Sequence, residues 1–104
     1  MRFGAYCETF GVTPRNRVLE VFLTIRATPL SVEDVIEETG LAKSTASRVM
    51  KELIQKRYIF AARVLRGSQL YQLNKENKDV KLFLKAFDAL LDDIVEEYGE
   101  KVVV

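Results

Sequence analysis

The sequence predicts a single, mainly α-helical domain with one small β-hairpin and a long closing helix. Three observations support this fold class. Segments with apolar residues at three- and four-residue spacing cover most of residues 13–56, and two of them begin with an N-cap residue. A β-rich stretch at residues 58–73 is interrupted by a turn sequence, which is typical of a hairpin. From Glu76 to about Tyr98 the helical spacing returns without a break.

The first two helices are predicted by short apolar patterns and by their ends. Aromatic residues recur at helical spacing near the N-terminus: Phe3, Tyr6 and Phe10. Gly11 is expected to close this short helix. Thr13 as N-cap and Pro14 at the first helical position then predict the start of a second helix. It is expected to end before Pro29, and Leu30 is expected to form a very short strand.

Residues 31–57 predict two short helices joined by a tight turn. Ser31 caps the first helix, and Asp34 occupies the position of its capping-box partner. Gly40 follows that helix where a left-handed residue is needed. The second helix, at about residues 43–56, is apolar on one side and basic with small polar residues on the other. Its apolar stripe comprises Ala46, Val49, Met50, Leu53 and Ile54.

The rest of the chain predicts the hairpin and the last helix. The hairpin turns at Arg66-Gly67-Ser68, and Tyr71 and Leu73 are expected to face the core. The last helix is expected to end at Gly99. Its apolar residues keep a 4-3-4-3-4 spacing, which forms a seam of the coiled-coil type.

Composition limits the chemistry that the chain can perform. Its 104 residues, of which 48% are hydrophobic, can bury a core without disulfides or metal. Cys7 is the only cysteine and histidine is absent, which excludes an internal disulfide and an ordinary Cys/His metal site. No phosphate-binding glycine loop or nucleophile elbow occurs, so we expect no cofactor and no enzymatic activity. No apolar run suits a signal peptide or a membrane span, so we expect a cytoplasmic protein without membrane association.

The charge distribution indicates an anionic partner, although the formal net charge is only +1. Residues 41–67 hold seven cationic side chains against one carboxylate. Residues 76–101 hold eight carboxylates against four lysines. A basic middle and an acidic tail indicate one surface directed at an anion and another kept away from it.

The order helix, short strand, helix, helix, hairpin over residues 13–73 resembles a winged helix-turn-helix domain. Its most specific part is T-G-L-A-K-S-T-A-S-R-V-M-K-E-L, followed by R-G-S-Q-L-Y-Q-L. The chain looks like the MarR, IclR and TrmB-like group of bacterial and archaeal transcription regulators. This resemblance implies that the helix at residues 43–56 enters the major groove of double-stranded DNA. It also implies that the hairpin wing reaches the backbone or the minor groove, and that the terminal helices form a dimer. The DNA-binding domain would comprise residues 1–74, and the dimerisation helix residues 75–104 of the same globular unit.

The physical requirements of a recognition helix agree with this resemblance. Such a helix presents short polar side chains at its start, long cations further along, and an apolar back. Arg48 is a candidate for a guanine or phosphate contact, and Lys43 and Lys51 are candidates for phosphate contacts. Arg63 and Arg66 fit a wing that contacts phosphate or enters a groove. The candidate DNA-binding residues are Lys43, Ser44, Thr45, Ser47, Arg48, Lys51, Arg63, Arg66 and Gly67.

The last helix has two interpretations. It can fold back over the core of its own domain, or it can pair with the same helix of a second chain. The second is favoured, because the helix is apolar over six turns and a winged domain already has a core. The candidate interface residues are Val80, Leu84, Phe87, Leu91, Ile94 and Tyr98. Some related families bind a small-molecule effector between the core and this helix, and nothing in the sequence specifies one.

Two functions compete at this point. The favoured one is a homodimeric, sequence-specific DNA-binding protein that regulates transcription, most simply as a repressor. The alternative is a winged-helix module that docks other proteins, although such a module usually lacks a basic face at residues 43–51. A DNA-binding role in plasmid or viral partition, copy control or architecture would share the same residues. Cys7 allows a redox-sensing thiol, but a lone cysteine among aromatic residues is more often a small buried hydrophobe.

Overall fold

The computed structural model describes residues 4–102, with the side chains of residues 4–93. The elements are α1 (Ala5–Phe10), α2 (Pro14–Thr24), α3 (Val32–Thr39), α4 (Lys43–Gln55), β1 (Ile59–Leu65), β2 (Ser68–Leu73) and α5 (Lys78–Val102). The strands β1 and β2 form an antiparallel hairpin, and Leu30 adds an isolated bridge to Tyr71. This order confirms the predicted fold class, a mainly α winged helix-turn-helix with a long last helix.

The helix ends follow the predicted caps. The Thr13 hydroxyl accepts a hydrogen bond from the Asn16 amide at 3.1 Å and so caps α2. The Ser31 hydroxyl and the Asp34 carboxylate each accept from the other residue's amide, which is a complete capping box. Gly40 ends α3 with φ 72° and ψ 11°, the left-handed conformation that glycine adopts without strain.

Helix α2 ends at Thr24, before Pro29 as predicted, and the Arg26 side chain donates to the Leu23 carbonyl in its last turn. The structure corrects both predicted boundaries of the last helix. Helix α5 begins at Lys78 rather than Glu76, because the Asn77 side chain accepts from the first-turn amides. It continues through Gly99 to Val102, since glycine weakens a helix without preventing it.

The hairpin turn is one residue shorter than predicted. Arg66 and Gly67 form a two-residue turn with φ of 51° and 79°, and Ser68 is the first residue of β2. Positive φ at both central residues matches the twist of paired strands, as in type I′ turns. The register shifts between Ala61 and Arg63, so β1 carries a bulge below the tip of the wing.

The core is built around α2, which is buried on most of its circumference. Phe22 is completely buried, as is Val18 one turn earlier. The predicted stripe of α4 packs on this helix, with its first four members buried and Ile54 half-buried. From the hairpin, Leu73 is buried and Tyr71 is half-buried against the core, as predicted. This packing fixes α4 on one side and leaves its opposite side exposed.

Candidate nucleic-acid interface

The polar side of α4 faces solvent. Lys43, Ser44, Arg48 and Lys51 are exposed, and Thr45 and Ser47 are half-buried. The first turn of α4 has no side-chain cap, because Ala42 occupies the N-cap position. Its amides are therefore left for another acceptor, and a helix N-terminus with free amides favours an anion such as phosphate. Five of the candidate residues on this helix thus lie along one accessible side, and Thr45 lies at its edge.

The wing turn lies beside the start of α4. Lys43 and Ser47 of α4 line a cleft of about 260 Å³ together with Gly67, Ser68 and Gln69 of the hairpin. Ser47 also lines a groove along α4 with Arg48 and Lys51. The structure thereby brings the helix and the wing turn into one continuous surface, which we call the α4–wing surface.

The hairpin holds its cations outward. Arg63 and Arg66 are both exposed. The Gln69 side chain donates to the Arg63 and Leu70 carbonyls, each at 2.9 Å, and so braces the strand on which Arg63 lies. Two exposed cations on a braced hairpin are suited to contacts with a phosphate backbone.

A second cleft extends the α4–wing surface toward α2, and sequence reasoning missed it. Arg15 and Asn16 at the start of α2 line this cleft, of about 420 Å³, with Arg48 and Glu52 of α4. The Arg15 guanidinium donates to the Glu52 carboxylate at 3.3 Å. Nothing in the local pattern around Arg15 signals this contact, because the two residues come together only in the folded chain.

A buried arginine holds the helix-turn-helix together. Arg17 of α2 is only 4% exposed, and its guanidinium donates to the Thr39 carbonyl at the end of α3. The last carbonyls of a helix lack partners within the helix and carry negative partial charge, which suits a cation. The Thr39 hydroxyl completes the corner by donating to the Val35 carbonyl. The turn that precedes α4 is therefore fixed from the side of α2.

Helix α1 is attached to α2 through one carboxylate. Glu20 accepts hydrogen bonds from the Gly4 amide at 2.7 Å and from the Cys7 amide at 3.1 Å. Cys7 is completely buried, and burial together with the nearby Glu20 carboxylate raises the pKa of its thiol from 9.0 to about 11. The thiol is therefore protonated at neutral pH, which favours the interpretation as a small buried hydrophobe.

The candidate dimer residues fall into three groups. Val80 and Phe87 are buried within one chain, where they complete the core, and Leu84 is half-buried against it. The apolar surface of Val80 and Phe87 is thus already covered without a partner, and that of Leu84 is covered in part. Leu91 is 43% exposed and remains accessible, as does Leu82 (58%), which sequence reasoning omitted. The side chains of Ile94 and Tyr98 lie outside the described residues.

An apolar cavity of about 370 Å³ lies where α1, α2 and α5 meet. Tyr6, Phe87 and Leu91 contribute to its walls, and Arg26 is among its charged residues. The Arg26 guanidinium donates to the Asp88 carboxylate at 2.9 Å and lies 5.6 Å from the centre of the Phe87 ring. Pairing with Arg26 lowers the pKa of the Asp88 carboxyl.

No helix in the described part of the chain combines the length and apolarity needed to cross a membrane.

The comparison with protein families shows the family of the chain. The model of the MarR family matches residues 10–66, more than half of the chain. The chain belongs to the MarR family. It is accordingly a DNA-binding transcription regulator and not an enzyme.

Solved structures of winged-helix regulators share the fold of this chain at low sequence identity. MepR, a transcription regulator of the Staphylococcus aureus multidrug efflux pump MepA, is 18% identical, with a TM-score of 0.63 over 90% of this chain and 68% of MepR. MepR in its complex with DNA is 18% identical, with a TM-score of 0.62 over 93% of this chain and 78% of MepR. A homodimeric winged helix-turn-helix DNA-binding domain from Mycobacterium bovis, described as a possible ArsR-family regulator, is 20% identical, with a TM-score of 0.57 over 86% of this chain and 78% of that domain. No curated protein sequence matches the chain.

Proposed function

We propose that this MarR-family protein is a homodimeric repressor that binds a specific site in double-stranded DNA through the α4–wing surface. The observation that carries the proposal is the continuity of this surface. One exposed helix with free amides at its start shares a cleft with a cationic hairpin turn. Arg48 would reach a base edge or a phosphate in the major groove, and Arg63 and Arg66 would reach the backbone beside it. Such a protein would act in the cytoplasm, on bacterial or archaeal DNA.

Fluorescence anisotropy across a salt series tests this proposal. The duplex upstream of the gene and a scrambled duplex of equal composition are compared, with wild type and Arg48→Ala. We expect wild type to prefer the native duplex by about 10³-fold or more, and Arg48→Ala to lose that preference. Lys85→Ala removes one exposed cation from α5 and is the matched control, which should leave the preference unchanged. Equal binding to both duplexes that collapses with salt would instead favour an architectural role.

A protein-docking role is the second outcome of the same measurement. It would be favoured if no duplex bound even at low salt, because a cationic surface of this kind binds DNA at least non-specifically. The cationic face at residues 43–51 speaks against it, since Lys43, Arg48 and Lys51 are all exposed.

We propose that the dimer forms through α1 and the distal part of α5. In support, α5 spans 25 residues, so it is about 37 Å long, while the molecule measures 52 × 29 × 25 Å. Beyond Phe87 the helix keeps apolar residues that the core does not bury, among them Leu91. A second copy paired along this face would cover them and place two α4 helices for successive half-sites of a pseudo-palindrome.

The two exposed leucines of α5 provide a matched test of this dimer. Leu91 continues the seam of Val80, Leu84 and Phe87, whereas Leu82 lies on another face of the helix. Leu91→Asp is expected to give monomers in light scattering and to weaken DNA binding. Leu82→Asp is expected to leave the protein dimeric. A Leu91→Asp variant that stays dimeric would contradict the proposed interface.

We infer that a small-molecule effector would occupy the apolar cavity between α1, α2 and α5. Its walls suit an aromatic or aliphatic molecule, and an acidic group on it would compete with the Asp88 carboxylate for the Arg26 guanidinium. Thermal shift assays with a panel of aromatic carboxylic acids test this, with Arg26→Gln as the comparison. Equal shifts for wild type and Arg26→Gln would exclude the role of Arg26.

A further inference from the structure

The proposed recognition helix, α4, carries one carboxylate, four residues after its single arginine. Glu52 is the single acidic residue of α4, and it follows Arg48 by four positions. Side chains four residues apart on a helix are neighbours and form ion pairs when their charges are opposite. A guanidinium paired with Glu52 would be drawn along its own helix, away from a DNA base or phosphate. The position of Glu52 therefore works against the proposed role of Arg48.

In the structure, Glu52 is paired with a different arginine. Arg15, at the start of α2, donates to the Glu52 carboxylate at 3.3 Å. Arg15, Arg48 and Glu52 line one cleft, so both guanidinium groups have access to the carboxylate. Among the residues whose side chains are described, Arg48 takes part in no ion pair. In the structure Glu52 is thus paired with Arg15 and not with Arg48.

The effect of this pair on stability is small. The Arg15 and Glu52 side chains are 45% and 36% exposed, and pairs exposed to this degree contribute little to folding. The competing pair is also weak, because a cation that precedes its acid on a helix is in the less favourable order. Weak pairs that compete for one carboxylate are easily shifted, so loss of Arg15 makes a pair between Arg48 and Glu52 more favourable.

We propose that Arg15 is a positioning residue for DNA binding, which holds the Glu52 carboxylate and so keeps the Arg48 guanidinium available. The inference rests on the proposed DNA-binding function and adds a residue outside the helix-turn-helix to it. Arg15 acts through Glu52 and need not touch DNA. Its contribution to affinity should therefore disappear when Glu52 loses its charge.

A double-mutant cycle in the full chain measures this coupling. Arg15→Ala is expected to weaken binding to the native duplex by about 3- to 10-fold at low salt. In the Glu52→Gln background the same change is expected to weaken binding by less than about 2-fold. The double variant has the net charge of wild type, so bulk charge cannot explain its recovery. Melting temperatures of all four proteins show that each is folded.

Two results would overturn the inference. An equal loss in both backgrounds would show that Arg15 contacts DNA itself, and the slope of log affinity against log salt would then fall by about 0.9. No loss in either background would show that Arg15 has no part in binding.

A measurement without DNA separates this inference from the proposed function. NMR follows the side-chain Nε–Hε signals of Arg15 and Arg48 while the carboxylates are protonated by lowering the pH. In wild type the Arg15 signal should respond to Glu52, and in Arg15→Ala the Arg48 signal should respond instead. An Arg48 signal that is the same in both proteins would refute the switch in pairing. If no duplex bound to wild type, the proposed function would fail, whereas the NMR titration would still decide the pairing.

Discussion

Replacing Arg66 by asparagine is expected to stabilise the protein and to weaken its DNA binding at the same time. Arg66 has a φ of 51° at the first position of the hairpin turn. A left-handed conformation costs a residue with an ordinary side chain roughly 1–2 kcal/mol. Asparagine tolerates this conformation best among residues other than glycine, and Asn-Gly is the preferred sequence of type I′ turns. An arginine at this position therefore carries strain that a purely structural turn would avoid.

The two effects differ in sign and can be measured separately. Relief of the strain should add about 0.5–1 kcal/mol to the free energy of unfolding, which raises the melting temperature of a domain of this size by about 2–8 °C. Loss of a phosphate contact by the exposed guanidinium should reduce the slope of log affinity against log salt by about 0.9. Differential scanning calorimetry gives the first quantity, and anisotropy titrations across a salt series give the second.

Arg66→Lys is the matched control, because it keeps both the charge and the left-handed strain. It should leave the melting temperature and the salt slope close to those of wild type. A lower melting temperature for Arg66→Asn would refute the strain at the turn. An unchanged salt slope would refute a phosphate contact by the wing tip, whatever the change in stability.

The remaining predictions concern buried groups. Arg17→Ala removes the donor to the Thr39 carbonyl and should lower the free energy of unfolding by about 2–4 kcal/mol in urea titrations; Arg15→Ala, on the exposed side of the same helix, should change it by less than about 0.5 kcal/mol. A similar stability for both variants would contradict a stabilising role of the hydrogen bond from Arg17 to the Thr39 carbonyl. Since the pKa of Cys7 rises from 9.0 to about 11, iodoacetamide should alkylate native protein at pH 8 about 100-fold more slowly than urea-unfolded protein. The folded state binds the thiol proton more tightly, so this thiol's contribution to stability should be lost as pH rises from about 9 to about 11; Cys7→Ala, measured alongside, should lack that part of the decline.

The helix-turn-helix could be predicted in detail because its signals are local. The capping box at Ser31 and Asp34 and the left-handed Gly40 each involve residues close in sequence, and the structure has them as predicted. The exposed side of α4 could be predicted for the same reason, since its period alone separates the apolar stripe from the polar side. The predicted start of β2 was wrong by one residue, since Ser68 belongs to the strand. A turn sequence indicates that a turn is present but does not determine its exact length.

The contacts that organise the site could not be predicted, because they join distant parts of the chain. The pairs Arg15–Glu52 and Arg17–Thr39 span 37 and 22 residues, and neither alters the local pattern at its ends. The local sequence around a charged residue does not show whether its side chain will lie on an open helix surface or in a cleft between helices. Only the packing of α2 against α3 and α4 decides this.

The seam of α5 shows the limit of periodicity most clearly. A 4-3-4 spacing establishes that one face is apolar but not what covers it. In the structure the first half of this face, through Phe87, packs in or against the core of a single chain. The next residue of the seam, Leu91, is exposed. The same pattern therefore serves two purposes along one helix. Because Val80 is completely buried, a charge placed there would unfold the domain, whereas a charge at Leu91, which is 43% exposed, would test association without removing a core residue. The dimer proposed for this protein consequently depends on the part of α5 beyond Phe87, and not on the whole seam.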